Sequence, residues 1–279
     1  KMDDKLLLRG DGTSVYMTQD VGTAVKRFKD FPNTVGMIYT VGNEQEHHFK
    51  VLFTILKKLG YPFADECFHL SYGMVNLPTG KMKSREGTVV DADDLMAEVI
   101  QDAKEITEER GQIENLGEEQ LTKLFEQIGL GGLKYYLLKV DPKKSMMFNP
   151  EESIDLNGNT GPFIQYTYAR TQSIINKEQG DLKSFQLDID AEKSEIDIIK
   201  HLLDLPETIK EAGKTYSPAI LANYTYELVK LYNSFYQSVS IFKEENKAKQ
   251  NLRLLLTEKV ADTVRFTMSL LGIEVPSKM

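Results

Sequence analysis

A continuous apolar run at residues 34–41 restricts this chain to folds that contain a covered β-sheet. The run is rich in β-branched residues, which is typical of a buried parallel strand. An amphipathic helical pattern follows at residues 49–59 and is ended by Gly60 and Pro62. A second apolar run occupies residues 67–75. The order strand, helix, strand predicts the last part of a doubly wound α/β domain.

The second half of the chain differs, because almost all of it has helical periodicity. Apolar residues recur at i, i+3, i+4 and i+7, and the segments concerned are 163–177, 196–212, 218–240 and 252–271. They predict a bundle of four or five helices. A turn-rich joint at residues 157–162 precedes the bundle. The predicted domains are therefore residues 1–150 and residues 151–279.

Three local patterns complete the predicted secondary structure. Residues 6–18 are predicted to form a hairpin around a Gly-Asp-Gly turn, and Thr18 is predicted to cap the helix that follows. Asp91 is predicted to cap an acidic helix. Another helix is predicted to begin at Gln120 and to be broken by the glycines of residues 129–132.

Composition and charge exclude several classes of protein. A single cysteine among 279 residues rules out an internal disulfide and fits a reducing compartment. No apolar run approaches ~18 residues, so no membrane span is expected. The net charge of −8 argues against a general nucleic-acid binder. The acidic residues are concentrated at 91–126 and 181–211, however, and the remainder is compatible with a selective RNA contact.

A basic loop between Gly80 and Gly87 carries three cations within five residues, namely Lys81, Lys83 and Arg85. These cations repel one another unless an anion lies among them, and the glycines let the backbone approach a ligand closely. The functional interpretation is a clamp for a polyphosphate. The alternative is a solvated basic turn.

Two further segments carry polar side chains near predicted strand ends. An Asp beside a Tyr hydroxyl, as at Asp20 and Tyr16, can bind a guanidinium; the alternative is helix capping by Asp20 and core packing by Tyr16. In the Glu-Gln-Glu-His-His sequence of residues 44–48, neighbouring helical positions diverge by about 100°, so no metal site is predicted. Gln45 and His48 are interpreted as neutral hydrogen-bond donors to a small substrate.

Six segments form a pattern together that none of them forms alone. They are residues 8–20, 41–49, 69–75, 81–87, 161–170 and 270–279. Residues 8–20 read Leu-Arg-Gly-Asp-Gly-Thr-Ser-Val-Tyr-Met-Thr-Gln-Asp, and residues 81–87 read Lys-Met-Lys-Ser-Arg-Glu-Gly. In this order the segments resemble the arginyl-tRNA synthetase family, and the basic loop resembles the KMSKS signature loop of class I aminoacyl-tRNA synthetases.

The resemblance implies both a fold and an activity. The fold is the C-terminal part of a class I Rossmann-type catalytic domain followed by an α-helical anticodon-binding domain. The activity is activation of arginine by ATP, with Mg²⁺ accompanying the ATP, and transfer of arginine to tRNA(Arg). The substrate carboxylate attacks the α-phosphorus, so no protein nucleophile and no protein-bound metal are required. A cytoplasmic monomer without a membrane contact is implied.

The resemblance also assigns roles by position. Arginine recognition is assigned to Tyr16, Asp20 and Gln45. ATP binding is assigned to His48, Tyr72, Gly73, Met74, Lys81, Met82, Lys83 and Ser84. Stabilisation of the reacting phosphates, the catalytic role, is assigned to Lys81, Lys83 and Arg85. Contact with the anticodon loop is assigned to Tyr166, Tyr236 and Met279.

Two departures from the family pattern bear on activity. The loop reads Lys-Met-Lys-Ser-Arg rather than Lys-Met-Ser-Lys-Ser, so Lys83 or Arg85 takes the place of the usual second lysine. No His-x-Gly-His string occurs, and in the family its histidines bind ATP phosphates. The sequence therefore resembles the C-terminal portion of such an enzyme. We expect this chain alone not to aminoacylate tRNA, its loop cations to be mobile, and one sheet edge to be exposed.

Two other functions stay open on the sequence. A nucleotidyltransferase of the same superfold acting on a small metabolite would share the strands and the loop, but it would not need the aromatic-rich helices. A non-catalytic tRNA-binding module would bind tRNA in a salt-dependent way without chemistry. Affinity for tRNA separates these two alternatives.

Overall fold

The computed structural model describes residues 5–77, 91–109, 116–177 and 190–279. Its helices are α1 (Tyr16–Asp30), α2 (Glu46–Lys58), α3 (Ala92–Glu109), α4 (Glu118–Leu138), α5 (Pro150–Ser153), α6 (Gly161–Ile175), α7 (Lys193–Leu203), α8 (Leu205–Thr215), α9 (Pro218–Ser238) and α10 (Lys247–Leu270). Its strands are β1 (Met37–Gly42), β2 (Cys67–Tyr72), β3 (Val75–Asn76) and β4 (Met146–Met147). One compact unit contains Lys1–Met74 and Pro142–Met146, and the other contains Val75–Asp141 and Met147–Met279.

The first unit is built on a parallel pair of strands. β1 and β2 run in register from Met37 opposite Cys67 to Gly42 opposite Tyr72. This confirms the predicted parallel arrangement of the two apolar runs. β1 is covered on one face only, because its residues alternate between partly buried and exposed, and Ile38 is exposed. The expectation of a buried strand was therefore wrong for one face of β1.

Helices α1 and α2 supply the core of the first unit. Ala24 of α1 and Leu52 and Leu56 of α2 are fully buried there. α2 follows β1 directly through a single 3₁₀ turn, Asn43–Gln45. The first turns of α2 thus lie beside the carboxyl ends of the strands, the edge where α/β sheets bind ligands.

The predicted N-terminal hairpin is present in shortened form, with one antiparallel bridge between Leu8 and Ser14. The Asp11 carboxylate accepts hydrogen bonds from the backbone and the hydroxyl of Thr13, and the Arg9 N–H donates to the Thr13 carbonyl at 2.9 Å, which together close the turn. α1 then begins at Tyr16, so Thr18 lies inside its first turn and is not its cap. The Thr18 hydroxyl donates instead to the Leu7 carbonyl.

In the second unit, α3 begins as the sequence predicts. The Asp91 carboxylate accepts a hydrogen bond from the Asp93 N–H at 2.9 Å, which satisfies one free donor of the first turn.

Helix α4 continues through the glycines that were predicted to break it. A Cβ at Gly129 would lie 2.6 Å from the Val99 carbonyl oxygen of α3, and a Cβ at Gly132 would lie 2.7 Å from the Ser153 carbonyl oxygen. These glycines therefore allow other backbone segments to approach α4 closely. The packing gained outweighs the low helix propensity of glycine, which is about 1 kcal/mol per residue relative to alanine.

Five helices, α6 to α10, form the predicted bundle around a core that includes Leu228, Tyr232, Phe235, Val260 and Met268. The segment 196–212, predicted as one helix, is instead two, α7 and α8. Pro206 lies in the first turn of α8, where a proline costs no hydrogen bond but prevents continuation from the preceding helix.

Helices α3 and α4 belong to the same compact unit as the bundle. The predicted functional division near residue 150 stays a prediction. In the part of the chain that the structure describes, no helix combines the length and apolarity required to cross a bilayer.

Candidate functional site

Asp20 and His48 are brought together from α1 and α2. Nε2 of His48 lies 2.6 Å from Oδ2 of Asp20, and the two residues are 28 positions apart in sequence. The Asp20 side chain is 46% exposed and the His48 side chain 25%. A carboxylate that is anchored on its inner side and open on its outer side can accept a cation from solvent.

The first turns of α2 are fixed to both strands beneath them. The Ser71 hydroxyl of β2 donates to Oε1 of Glu46 at 3.1 Å. The Phe49 ring stacks on the His69 ring of β2 at 4.3 Å, and Nε2 of His69 donates to the Val41 carbonyl of β1 at 2.9 Å. The backbone that carries His48 is therefore held in place.

Tyr16 and Gln45 each precede one member of this pair by a few positions in sequence. Tyr16 lies one turn before Asp20 on α1, and it is 80% exposed, which excludes the alternative that it packs in the core. Gln45 is exposed in the turn between β1 and α2. Asp20 lies in the second turn of α1 and bonds His48, so helix capping does not explain it either.

Two titratable groups of the parallel strands stay neutral. Burial raises the pKa of the Tyr39 hydroxyl, and the Cys67 thiol raises it further. Burial also raises the pKa of the Cys67 thiol, with Glu66 adding to the effect. Neither group carries charge at neutral pH. The charged side chains of this unit are therefore those closer to the surface.

The segment after β2 presents side chains rather than backbone groups. The Gly73 N–H donates to the Pro142 carbonyl at 2.7 Å, and the Met74 N–H donates to the Ser145 hydroxyl at 3.2 Å. These two donors are therefore already used, whereas the side chains of Tyr72 and Met74 are exposed at the surface. A Cβ at Gly73 would lie 2.4 Å from the carbonyl group of Lys144, so only glycine fits there.

The basic loop lies outside the described residues. This applies to Lys81, Met82, Lys83, Ser84 and Arg85, so the assigned phosphate contacts and the expected mobility of these residues stay predictions.

A second cluster joins α6 and α9. The Arg170 guanidinium lies over the Tyr166 ring at 5.0 Å and over the Tyr236 ring at 5.3 Å. Nη1 of Arg170 donates to Oδ1 of Asn233 at 2.6 Å, and the Asn233 amide donates to the Thr167 hydroxyl at 2.9 Å. The guanidinium is therefore fixed between two aromatic rings.

Arg170 was not among the predicted site residues, although the sequence carries a signal for it. It follows Tyr166 by four positions, which places both side chains on the same face of a helix. Its contact with Tyr236 depends on the packing of α6 against α9, which periodicity does not show. In the structure, Arg170 contacts both Tyr166 and Tyr236. These two tyrosines were predicted as site residues from the sequence, and Arg170 was not.

Met279 has a different set of neighbours. Its side chain packs against Ala103 of α3 and against Leu124 and Ile128 of α4. Among the described residues, no group of three or more His, Cys, Asp or Glu side chains is arranged to hold a metal ion.

Two family models match the chain. Residues 2–149, more than half of the chain, match the tRNA synthetases class I (R) catalytic domain. Residues 164–279 match the DALR anticodon binding domain.

Curated relatives give the same family. The chain is 58% identical over 278 residues to an arginine–tRNA ligase of Flavobacterium psychrophilum, covering 100% of this chain and 46% of that protein. It is 57% identical over 283 residues to an arginine–tRNA ligase of Parabacteroides distasonis, covering 100% of this chain and 47% of that protein. The chain thus spans about half the length of the curated relatives that it matches.

Solved structures agree with the fold. Arginyl-tRNA synthetase of Thermus thermophilus superimposes with a TM-score of 0.86 at 25% identity, over 98% of this chain and 50% of that one. The Plasmodium falciparum arginyl-tRNA synthetase gives a TM-score of 0.82 at 24% identity, over 98% of this chain and 46% of that one, which supports the fold alone. The expected combination of a Rossmann-type catalytic part and a helical anticodon-binding domain is confirmed. The chain belongs to the arginyl-tRNA synthetase family of class I aminoacyl-tRNA synthetases.

Proposed function

We propose that this chain provides the arginine-recognising part and the anticodon-binding domain of an arginine–tRNA ligase. The whole enzyme would form arginyl-adenylate and pyrophosphate from arginine and ATP, and would then transfer the arginyl group to tRNA(Arg) with release of AMP. The Asp20–His48 pair carries this proposal, because it leaves an anchored carboxylate exposed beside the carboxyl ends of β1 and β2.

Arginine recognition is proposed to centre on Asp20. An exposed carboxylate forms charge-assisted hydrogen bonds with a guanidinium, which is planar and presents several N–H groups in a fixed arrangement. Tyr16, on the same face of α1, is exposed and supplies a hydroxyl and a ring. Gln45 supplies an amide from the turn before α2.

ATP is proposed to bind at the ends of the strands and under the basic loop. The exposed side chains of Tyr72 and Met74 are suited to the adenine ring. Lys81, Lys83 and Arg85 would stabilise negative charge that grows as pyrophosphate leaves the α-phosphorus, and Mg²⁺ bound to the phosphates would add to this stabilisation. The loop roles follow from the family pattern only.

The anticodon loop of tRNA is proposed to meet the cluster of Tyr166, Arg170 and Tyr236, with Met279 as a further contact. Aromatic rings stack on unpaired bases, and guanidinium planes do the same while donating hydrogen bonds. Arg170 is held between the two rings, so this surface is already ordered before a base arrives.

We further propose that the enzyme acts as a cytoplasmic monomer without a membrane contact, and that the catalytic part ends near residue 150. Family membership and the single, partly buried cysteine are in keeping with a reducing compartment.

Calorimetric titration with arginine and with lysine tests the arginine proposal. We expect the 279-residue chain to prefer arginine, and Asp20→Asn to abolish that preference, because the guanidinium loses its charged acceptor. Asp65→Asn is the matched control, since Asp65 is an exposed aspartate paired with Lys57 in the same unit. An unchanged preference in Asp20→Asn would refute the assignment.

A second function is favoured by the same tyrosine–arginine cluster. A chain without the His-x-Gly-His string could bind tRNA and perform no chemistry. Salt-dependent tRNA binding together with no affinity for arginine would identify this alternative.

A further inference from the structure

We propose that His48 is a positioning residue for arginine recognition. It holds Oδ2 of Asp20 and thereby fixes the orientation of the carboxylate that meets the guanidinium of the substrate. This inference rests on the proposed function and deepens it. It also gives His48 a role different from the ATP contact that the family resemblance implied.

The geometry of the pair supports this positioning role of His48. The 2.6 Å contact joins Nε2 of His48 to Oδ2, and the imidazole is the less exposed of the two groups. The histidine therefore lies on the protein side of the carboxylate, whose more exposed side can meet a ligand. Each carboxylate oxygen can accept two hydrogen bonds, so the bond from His48 fixes the orientation of the carboxylate and still leaves acceptor sites for a guanidinium.

The support behind His48 makes the arrangement rigid. The His48 ring meets the edge of the Phe49 ring at 5.7 Å, and Phe49 is itself buried and stacked on His69. The Glu46–Ser71 hydrogen bond ties the same turn of α2 to β2. Because His48 cannot follow a moving carboxylate, it restricts the rotamers of Asp20. Less side-chain freedom is then lost when the substrate binds.

A fixed oxygen also affects which substrate is preferred. A guanidinium has a planar, fixed set of donors, and it benefits from an acceptor that is already in place. The lysine ammonium is compact and rotates freely, so it can follow a mobile carboxylate equally well. Loss of the His48 hydrogen bond is therefore expected to weaken arginine binding more than lysine binding.

Calorimetry on four forms of the 279-residue chain tests this expectation. They are the wild type, His48→Leu, which removes the donor, His48→Gln, which retains an N–H at a similar reach, and His47→Leu. His47 is the neighbouring exposed histidine and serves as the control. We expect His48→Leu to weaken arginine binding about tenfold and to reduce the arginine-to-lysine preference, as for loss of one charge-assisted hydrogen bond. His48→Gln should restore most of the preference, and His47→Leu should leave it unchanged.

An NMR measurement gives a readout that a merely structural role would not move. The chain contains four histidines, so the imidazole N–H signals can be assigned by substitution. The His48 Nε2–H signal should be protected from exchange with solvent, should be lost in Asp20→Ala, which removes the acceptor, and should persist when arginine saturates the site. Loss of that signal on addition of arginine would overturn the inference, because His48 would then not hold the carboxylate while the substrate is bound.

The outcomes distinguish this inference from the function on which it rests. A wild-type chain that fails to discriminate arginine from lysine contradicts the arginine pocket itself. A wild-type preference that Asp20→Asn abolishes and His48→Leu leaves intact overturns the role of His48 alone.

Discussion

The stability of the helical unit depends on single buried side chains, and Arg253 is one of them. It is 4% exposed and forms ion pairs with Glu195 at 2.7 Å, Glu244 at 2.9 Å and Glu192 at 3.0 Å. Glu195 is fully buried, and Arg253 is its charged partner. The pairs connect α7, α10 and the turn between α9 and α10.

Arg253→Met is expected to destabilise the chain by about 3–5 kcal/mol, because it leaves a buried carboxylate without its partner. Arg265→Met is the control: Arg265 is also on α10 and paired with Asp262, but its side chain is 63% exposed. An exposed pair contributes only about 0–1 kcal/mol. Urea unfolding measures both values, and equal effects of the two substitutions would contradict the buried network.

A second residue of the helical unit, Arg170, belongs to the proposed nucleic-acid surface. Tyr236→Ala is expected to weaken tRNA binding by about 1–3 kcal/mol, the range for loss of one stacked base. Tyr236→Phe keeps the ring and should bind nearly as the wild type does. Fluorescence titration at several salt concentrations measures the affinity. A loss of equal size in both variants would show that the hydroxyl, and not stacking, matters.

At the level of helices and strands, prediction succeeded where the element's own residues carry the signal, such as apolar residues that recur along one face or a capping residue at its start. The amphipathic run before Gly60 is α2, and the Asp91 cap starts α3 as expected. Prediction failed where contact with a backbone segment distant in sequence determines whether a helix continues. The glycines of α4 resemble a helix break in sequence, yet they make room for α3 and for the Ser153 carbonyl. Local propensity cannot contain that information.

Two glycine-to-alanine substitutions test this explanation of α4. Gly129→Ala should destabilise the chain by about 1–3 kcal/mol, because its Cβ would press on the Val99 carbonyl of α3. Gly213→Ala in α8 meets nothing within 4 Å and should stabilise by about 0.5–1 kcal/mol through helix propensity. Thermal unfolding of the two variants should therefore shift in opposite directions. A stabilising effect at Gly129 would contradict the close approach of α3.

For the whole molecule, the order of segments along the sequence was sufficient to predict the family and the two-part fold. It did not predict which polar groups face one another. The contact of Asp20 with His48 spans 28 positions, and that of Arg170 with Tyr236 spans two helices. Such pairs depend on how helices and strands pack against one another. The periodicity of residues within one element does not indicate that packing.

The functional residues that this sequence contains lead to a prediction about the activity of the polypeptide. The 279 residues contain the proposed arginine and anticodon contacts but no His-x-Gly-His string. We therefore expect a polypeptide of this sequence to bind tRNA(Arg) and to show no aminoacylation with ATP, arginine and tRNA. Turnover above that of an Asp20→Asn control would contradict this expectation.

The central claim is that the Asp20 carboxylate recognises the charge of arginine. Calorimetric comparison of L-arginine with L-citrulline tests it most directly, because citrulline keeps the shape of arginine and lacks its charge. We predict that the wild-type chain binds arginine about 10–100-fold more tightly than citrulline, and that Asp20→Asn binds the two equally. Equal affinity of the wild-type chain for arginine and citrulline would contradict the claim.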